Sequence, residues 1–204
     1  MTTMPTNHHK PRQPDVQSQP RNVTRAGYVT HQYQKELEKL IKNQWKQMKP
    51  RWFLTIQWTP PARSFHVAVE HSKHFRNKLL CSVYDCELDK LPDMNERCRM
   101  IWFHEKAPDV YGRIIYHSHL HMSKLPAPYR SITDLELLLI QKVKPGFRSL
   151  QHLFRSKNPS IVIKPWKYNH HSSYNLKDYY RYRHHQDADL TLDMSKNSDL
   201  IVTK

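Results

Sequence analysis

The sequence predicts an α+β fold in which a central, mainly antiparallel sheet is flanked by helices. Short runs rich in aromatic and β-branched residues alternate with runs whose apolar residues recur every three or four positions. Two of the strand-like runs are separated by a short turn, which is typical of an antiparallel hairpin. The chain has 204 residues, which is enough for one domain with a buried core and two tails.

Composition divides the chain into three parts. Residues 1–25 are polar, with prolines among lysines and arginines, and this predicts a flexible basic arm. Residues 26–185 contain the periodic segments and form the predicted folded domain. Residues 186–204 are acidic and polar, which predicts a loosely ordered C-terminal tail.

The first half of the domain predicts a helix, a strand and a second helix. The first helix runs from about residue 28 to Pro50, because apolar residues recur there at helical spacing. Residues 52–58 are aromatic and β-branched, and two prolines that follow end this predicted strand. Residues 64–80 have the spacing of a second helix.

The second half of the domain predicts three more strands. Residues 99–104 and 113–124 form the predicted hairpin, which places them side by side. A proline-containing loop separates them from a buried helix over 134–143, and a short strand follows at 160–164. Residues 171–183 are rich in tyrosine and arginine and are predicted to be helical.

The charge of the chain indicates a polyanionic partner. The formal net charge is +15 and the pI is near 9.8, which most simply indicates nucleic acid. No segment has the roughly 20 apolar residues of a membrane span, and no signal-peptide core is present, so we expect a cytoplasmic protein without a membrane partner. Three cysteines without CxxC spacing predict reduced thiols. With only three glycines, a Gly-rich phosphate loop and a helicase function are excluded.

Three histidines alternate along one predicted strand. His117, His119 and His121 would project from the same face, because successive side chains of a strand point to opposite faces. Neighbouring imidazoles on one face can share a small cation, so the pattern predicts a metal site. The alternative is a solvated strand face without a metal, since a chain with 15 histidines clusters some of them by chance.

A tyrosine and a lysine further along the chain supply a candidate nucleophile and its activator. Tyr174 and Lys177 are three residues apart, so a helix would place both on one face. A lysine cation, or a bound metal, favours the phenolate of a tyrosine that is otherwise a poor nucleophile at neutral pH. The alternative is a surface pair without a function, which is common for this spacing.

These motifs together resemble those of the HUH endonucleases, which include rolling-circle replication initiators, plasmid relaxases and related transposases. The run Phe53-Leu54-Thr55 resembles the first, structural motif of the family, and we assign no chemistry to it. The histidines from 117 to 121 resemble its metal motif, and Tyr174-Asn-Leu-Lys177 resembles the motif with a single nucleophilic tyrosine. The three motifs follow the family order and span residues 50–183.

The resemblance implies a sequence-directed cut in single-stranded DNA at an origin, most simply one that starts rolling-circle replication of a plasmid, phage or satellite element. Tyr174 would form a 5′-phosphotyrosine link, and Mg²⁺ or Mn²⁺ would act on the scissile phosphate. The free 3′-hydroxyl would prime a polymerase, and a host or partner helicase would unwind the duplex. Imidazole ligands shift the preference towards Mn²⁺.

The metal ligands are only partly determined by the resemblance. Either His119 and His121 or His117 and His119 form the motif pair, so His119 belongs to both alternatives. The family usually adds a third ligand, and a hairpin could bring Glu105 near, although a solvated strand end is an equal alternative. His104 would point to the opposite face of a regular strand.

The region around Tyr174 is also expected to bind DNA. Aromatic residues alternate there with four basic residues that suit a single strand, namely Lys164, Lys167, Arg181 and Arg183. Several other tyrosines lie nearby. Tyr174 is preferred as the nucleophile because Lys177 follows it by three residues. The alternative is that these rings belong to the core.

Two other functions fit the same sequence. A mobilisation relaxase or a transposase would use the same chemistry on a different DNA site. A non-catalytic module that binds single-stranded nucleic acid would also be basic, aromatic and α+β, as RNA-recognition folds are. In that case the histidines would be incidental.

Overall fold

The computed structural model describes residues 25–109, 111–146 and 160–168, together with residues 192, 195 and 198–200. The elements in chain order are α1 (Arg25–Met48), β1 (Trp52–Ala62), α2 (Phe65–Tyr84), β2 (Met100–Pro108), β3 (Ile114–Met122), α3 (Ile132–Leu138) and β4 (Ile161–Pro165). Among these helices, none combines the length and the apolar character that a membrane span requires.

The four strands form one sheet in the order β2-β3-β1-β4, and every neighbouring pair is antiparallel. From β1 onward the elements follow the sequence βαββαβ, which is the ferredoxin-like, split βαβ arrangement. The prediction of an α+β fold with a mainly antiparallel sheet and flanking helices is therefore confirmed.

One face of the sheet carries the main hydrophobic core. Even-numbered residues of β1 and β2, such as Leu54 and Trp102, point towards α2 and α3 and are fully buried there. Phe75 of α2 and Leu135 of α3 close this core from outside. Burial of such side chains stabilises the fold by about 1.5–3 kcal/mol each.

Helix α1 covers part of the opposite face. Its buried residues Leu37, Ile41 and Trp45 recur at helical spacing and pack on Ile101 and Phe103 of β2. The sheet therefore lies between α1 on one side and α2 with α3 on the other. The histidines of β3 lie on the α1 side.

The predicted hairpin is present and is longer than its sequence pattern indicates. β2 and β3 pair without interruption from Met100 opposite Met122 to Pro108 opposite Ile114. Glu105, which we expected at the end of a strand, therefore lies inside β2. Its position is fixed by backbone hydrogen bonds rather than by a loop.

Other element boundaries differ from the expectations for local reasons. β1 continues through its two prolines to Ala62, and α2 continues to Tyr84, where Asp85 adopts a left-handed backbone conformation at the helix end. α3 is shorter than expected, because the helix changes to a π-helical turn over Leu139–Val143. Residues 1–24 and the predicted helix over 171–183 lie outside the described residues.

A small polar network ties β1, β2 and β3 together on the core side. The hydroxyl of Ser118 accepts a hydrogen bond from Trp58 Nε1 at 2.8 Å and lies 2.8 Å from His104 Nδ1. Ser118 and His104 are both buried. His104 therefore lies on the face opposite Glu105, as the alternation predicts.

The described residues of the C-terminal tail are packed against the outer edge of β2. Leu192 is buried and forms a β-bridge with Phe103, and Asp199 N–H donates to the carbonyl of Met100 at 2.7 Å. The carboxylate of Asp199 binds Arg97 at 2.6 Å and Arg76 at 3.2 Å. These contacts place the acidic side chain of Asp199 between two arginines. Apart from residues 192, 195 and 198–200, the predicted tail lies outside the described residues.

We expect Asp199→Ala to lower the free energy of unfolding by about 3 kcal/mol, because it removes a buried carboxylate that pairs with the largely buried side chains of Arg97 and Arg76. Urea denaturation followed by circular dichroism measures this loss. Glu87→Ala is the matched control, because its ion pair with Lys90 is exposed and contributes little. Equal stability of the two variants would contradict a structural role for Asp199.

We expect Ser118→Ala to lower the free energy of unfolding by about 1–3 kcal/mol, because the Trp58 N–H then loses its buried acceptor. Ser82→Ala, at a half-buried position of α2, is the control and should change stability by less than about 0.5 kcal/mol. Chemical denaturation of both variants compares them directly. A Ser118→Ala variant as stable as the wild type would show that the network is dispensable.

Candidate metal centre

Two histidines of β3 and one glutamate of β2 converge on the α1 side of the sheet. Glu105 lies directly opposite His117 in the strand register, and His119 lies two residue pairs further along, on the same face. Glu105 Oε2 is 3.2 Å from His117 Nε2 and 3.1 Å from His119 Nε2. The pairing of β2 with β3 therefore brings one carboxylate to both imidazoles.

The donor atoms of this cluster suit a divalent metal ion. One ligand atom from each of Glu105, His117 and His119 lies within 4.8 Å of the other two. Adjacent ligands bound to one ion at 2.0–2.2 Å lie roughly 2.8–3.6 Å apart in octahedral or tetrahedral shells. The two nitrogen–oxygen distances, 3.1 and 3.2 Å, fall in that range. Together these three residues could therefore hold a metal ion.

His119 is held in place from the β1 side. Its Nδ1 lies 3.2 Å from the hydroxyl of Thr55, which is its cross-strand partner. Its ring stacks on Phe53 with the centroids 5.3 Å apart. The tautomer that donates its Nδ1 proton to Thr55 directs the Nε2 lone pair at Glu105. Such outer hydrogen bonds orient metal-binding histidines.

The cluster is accessible from one side only. The side chain of His119 is 3% exposed, whereas those of His117 and Glu105 are 18% and 15% exposed. The exposure increases towards the hairpin turn and decreases towards α1. An ion bound here would keep an open side through which a substrate atom could reach it.

His121 lies on the same face but has a different environment. It is fully buried, and its Nδ1 accepts a hydrogen bond from Trp45 Nε1 of α1 at 2.7 Å. Its ring packs between Phe103 and Trp166, with centroid distances of 4.7 and 4.4 Å. Its surroundings are aromatic, and it does not belong to the cluster that the described residues form with Glu105.

The cysteines are not part of this centre. All three are free thiols, and Cys98 is buried in the core on the other face of the sheet. Burial raises the pKa of Cys98 to about 12, so that it stays a neutral thiol at physiological pH. Burial also raises the pKa of Cys81. Neither environment favours the thiolate that binds metals.

The structure describes two of the other predicted site residues, Lys164 and Lys167. Lys164 of β4 pairs with Phe53 of β1 and is exposed, and Lys167 is also exposed. Paired residues of neighbouring strands share a face, so Lys164 lies on the side of the metal cluster. Four residues of the predicted site lie outside the described residues, namely Tyr174, Lys177, Arg181 and Arg183.

Sequence reasoning did not identify the roles of Thr55 and Trp45. Thr55 belongs to the run to which no chemistry was assigned, and its role depends on which strand pairs with β3. Trp45 belongs to a helix whose apolar stripe was recognised, but the stripe alone does not indicate that its indole meets His121. An alignment of β1 with β3 would have identified Thr55, because residues that pair across neighbouring strands point to the same face.

In comparisons with known proteins, no family model, no curated protein and no solved structure matches this chain. The chemistry of the centre is therefore inferred from its own side chains and from the motifs of the sequence.

We expect the protein to bind one Mn²⁺ ion, and to bind Mg²⁺ more weakly, because imidazole ligands favour the softer ion. His119→Ala and Glu105→Gln should each lower the Mn²⁺ affinity at least about tenfold, because a ligand is removed. Isothermal titration calorimetry measures both affinities. The affinity should also fall as the pH is lowered, because protons compete for the imidazole nitrogens.

His66→Ala is the matched control for this titration, because His66 is an exposed histidine of α2 on the other side of the sheet. It should bind Mn²⁺ as the wild type does. An equal loss of affinity in the control, or no loss in His119→Ala, would assign the binding to histidines outside the cluster.

Proposed function

We propose that this protein is a metal-dependent nuclease that cuts and rejoins single-stranded DNA through Tyr174. The observation that carries the proposal is the convergence of Glu105, His117 and His119 on one side of an antiparallel sheet. The order of the sequence motifs supports it, because the histidine motif follows the Phe53 strand and precedes Tyr174. The chemistry is that of the HUH endonucleases, which the motifs resemble.

The proposed roles of the cluster follow from its donor atoms. His117, His119 and Glu105 would hold a divalent ion, preferably Mn²⁺ or Mg²⁺. Such an ion supplies Lewis-acid stabilisation of charge on a phosphate oxygen. Thr55 would keep His119 in the tautomer that binds the ion through Nε2. His121 has no ligand role in this proposal and instead anchors α1 through Trp45.

Tyr174 is the proposed nucleophile. Its phenolic oxygen forms a bond to phosphorus, and the bond between phosphorus and the 3′ oxygen breaks. The proton lost by the phenol is balanced by the proton that the leaving 3′ oxygen gains. The products are a 5′-phosphotyrosine link and a free 3′-hydroxyl. Lys177 would favour ionisation of the phenol and neutralise charge on the phosphate.

Basic residues supply the binding of the DNA backbone in this proposal. The net charge of +15 attracts a polyanion over long distances. Lys164 lies on the metal side of the sheet and Lys167 lies two residues after β4 ends, so both are suited to contact phosphates. Arg181 and Arg183 have the same proposed role near Tyr174.

The proposed cellular role is the initiation of rolling-circle replication of a plasmid, phage or satellite element in the cytoplasm. The 3′-hydroxyl that the cut releases would prime a polymerase, and a host or partner helicase would unwind the duplex. A mobilisation relaxase or a transposase would use the same centre on another DNA site. Mapping the cut to a replication origin, a transfer origin or a transposon end distinguishes these roles.

The test is the formation of a covalent adduct between the protein and a labelled random-sequence library of single-stranded DNA. We expect an adduct on a denaturing gel with Mn²⁺, none with EDTA, and none for Tyr174→Phe with Mn²⁺. The Phe variant lacks the attacking oxygen but retains the ring, so its binding of DNA should be unchanged. Mass spectrometry of the adduct peptide identifies the linked residue.

Tyr168→Phe is the matched control, because Tyr168 is a half-exposed tyrosine three residues after the end of β4. It should form the adduct at the wild-type level. An undiminished adduct in Tyr174→Phe would refute the assignment of the nucleophile. Binding of DNA without any adduct, whether or not a metal is present, would favour the non-catalytic binding module.

A further inference from the structure

The turn between β2 and β3 presents an exposed aromatic ring. The side chain of Tyr111 is 78% exposed, which is the largest value among the exposed large hydrophobic residues of the described chain. The guanidinium carbon of Arg113 lies 5.0 Å from the centroid of that ring. The pair is therefore a cation–π contact at the surface, and most of the ring remains available to a ligand.

The carboxylate of Asp109 bonds to Tyr111 and to Arg113, two residues of the same turn. The Asp109 carboxylate accepts hydrogen bonds from the backbone N–H groups of Tyr111 at 2.8 Å and of Arg113 at 2.9 Å. It also binds the guanidinium of Arg113, with an Nε distance of 2.8 Å. Gly112 has a φ of +74°, which a glycine adopts without strain. The ring is thus preorganised, which lowers the entropic cost of binding.

The turn lies on the same hairpin as the metal cluster. Glu105 and His117 form one cross-strand pair, and the strands end three pairs further on, at Pro108 and Ile114. At about 3.3 Å per residue this is a distance of roughly 10 Å. A strand of DNA with its phosphate at the cluster could therefore place a neighbouring base at Tyr111.

We propose that Tyr111, supported by Arg113, stacks on a base of the single-stranded DNA that lies across the metal cluster. This inference rests on the proposed function, because that function supplies the ligand. Every base has a flat π face, so an exposed tyrosine binds single strands without regard to sequence. Arg113 is already paired with the Asp109 carboxylate at 2.7 Å, so the proposed contact is made by the Tyr111 ring with a base.

The test compares the binding of two oligonucleotides by fluorescence anisotropy in EDTA, so that no cleavage occurs. One is a short oligothymidylate, and the other has the same length but consists of abasic sites. We expect Tyr111→Ala to weaken the binding of oligothymidylate about fivefold or more, which corresponds to the lower end of base stacking. The affinity for the abasic strand, and the salt dependence of binding, should be unchanged.

Two variants serve as controls. Tyr111→Phe retains the ring and should bind oligothymidylate within about twofold of the wild type. Leu137→Ala removes another exposed hydrophobic side chain, from α3 on the other side of the sheet, and should have no effect. Circular dichroism should show that all variants remain folded, since both substituted side chains are exposed.

The possible outcomes separate this inference from the proposed function. An equal loss on both oligonucleotides would indicate a phosphate contact and overturn the stacking role. Wild-type affinity in Tyr111→Ala would overturn the inference while leaving the proposed function intact. A wild-type protein that binds neither oligonucleotide would also overturn this inference, whereas the proposed function is overturned only by the absence of the Tyr174 adduct. A loss confined to oligothymidylate supports the inference even if the Tyr174 adduct does not form.

Discussion

The uninterrupted pairing of β2 with β3 is the constraint on which the candidate site depends. It sets Glu105 opposite His117 and brings the carboxylate within 3.2 Å of two imidazoles. A shift of the register by one residue would turn every side chain of one strand to the other face. Glu105 would then point into the apolar core, where an ionised carboxylate is strongly disfavoured. The register of β2 and β3 therefore determines both the cluster of Glu105, His117 and His119 and the position of the turn at Tyr111.

Interactions on the core face and at one edge of the sheet support this pairing. On the core face, Ser118 links β3 to Trp58 of β1 and His104 of β2. At the outer edge, β2 bonds with the C-terminal segment around Asp199, which leaves less of its backbone available to other chains. The strand that carries Glu105 is thus supported along its length, although the carboxylate itself stays partly exposed.

Helix α1 gives His121 an environment different from that of His117 and His119. Its Trp45 covers His121 and binds its Nδ1, so that this end of the histidine face becomes part of a hydrophobic core. His117 and His119 lie beyond the helix and next to Glu105. The environment changes over a few residues from an aromatic cluster to a partly exposed polar site that could hold a metal ion.

Much of the fold and part of the site could be predicted from the sequence, because helix and strand periodicity are local properties. The alternation of His117, His119 and His121 placed all three on one face. The short turn indicated a hairpin that could bring Glu105 near them. The sequence did not determine which histidines meet the carboxylate, since that depends on the register that sets Glu105 opposite His117. Nor did it predict that Trp45, 76 positions away, would cover His121. It also did not predict the partner of Asp199 or the role of Thr55. These contacts join distant segments, and only the tertiary packing brings their side chains together.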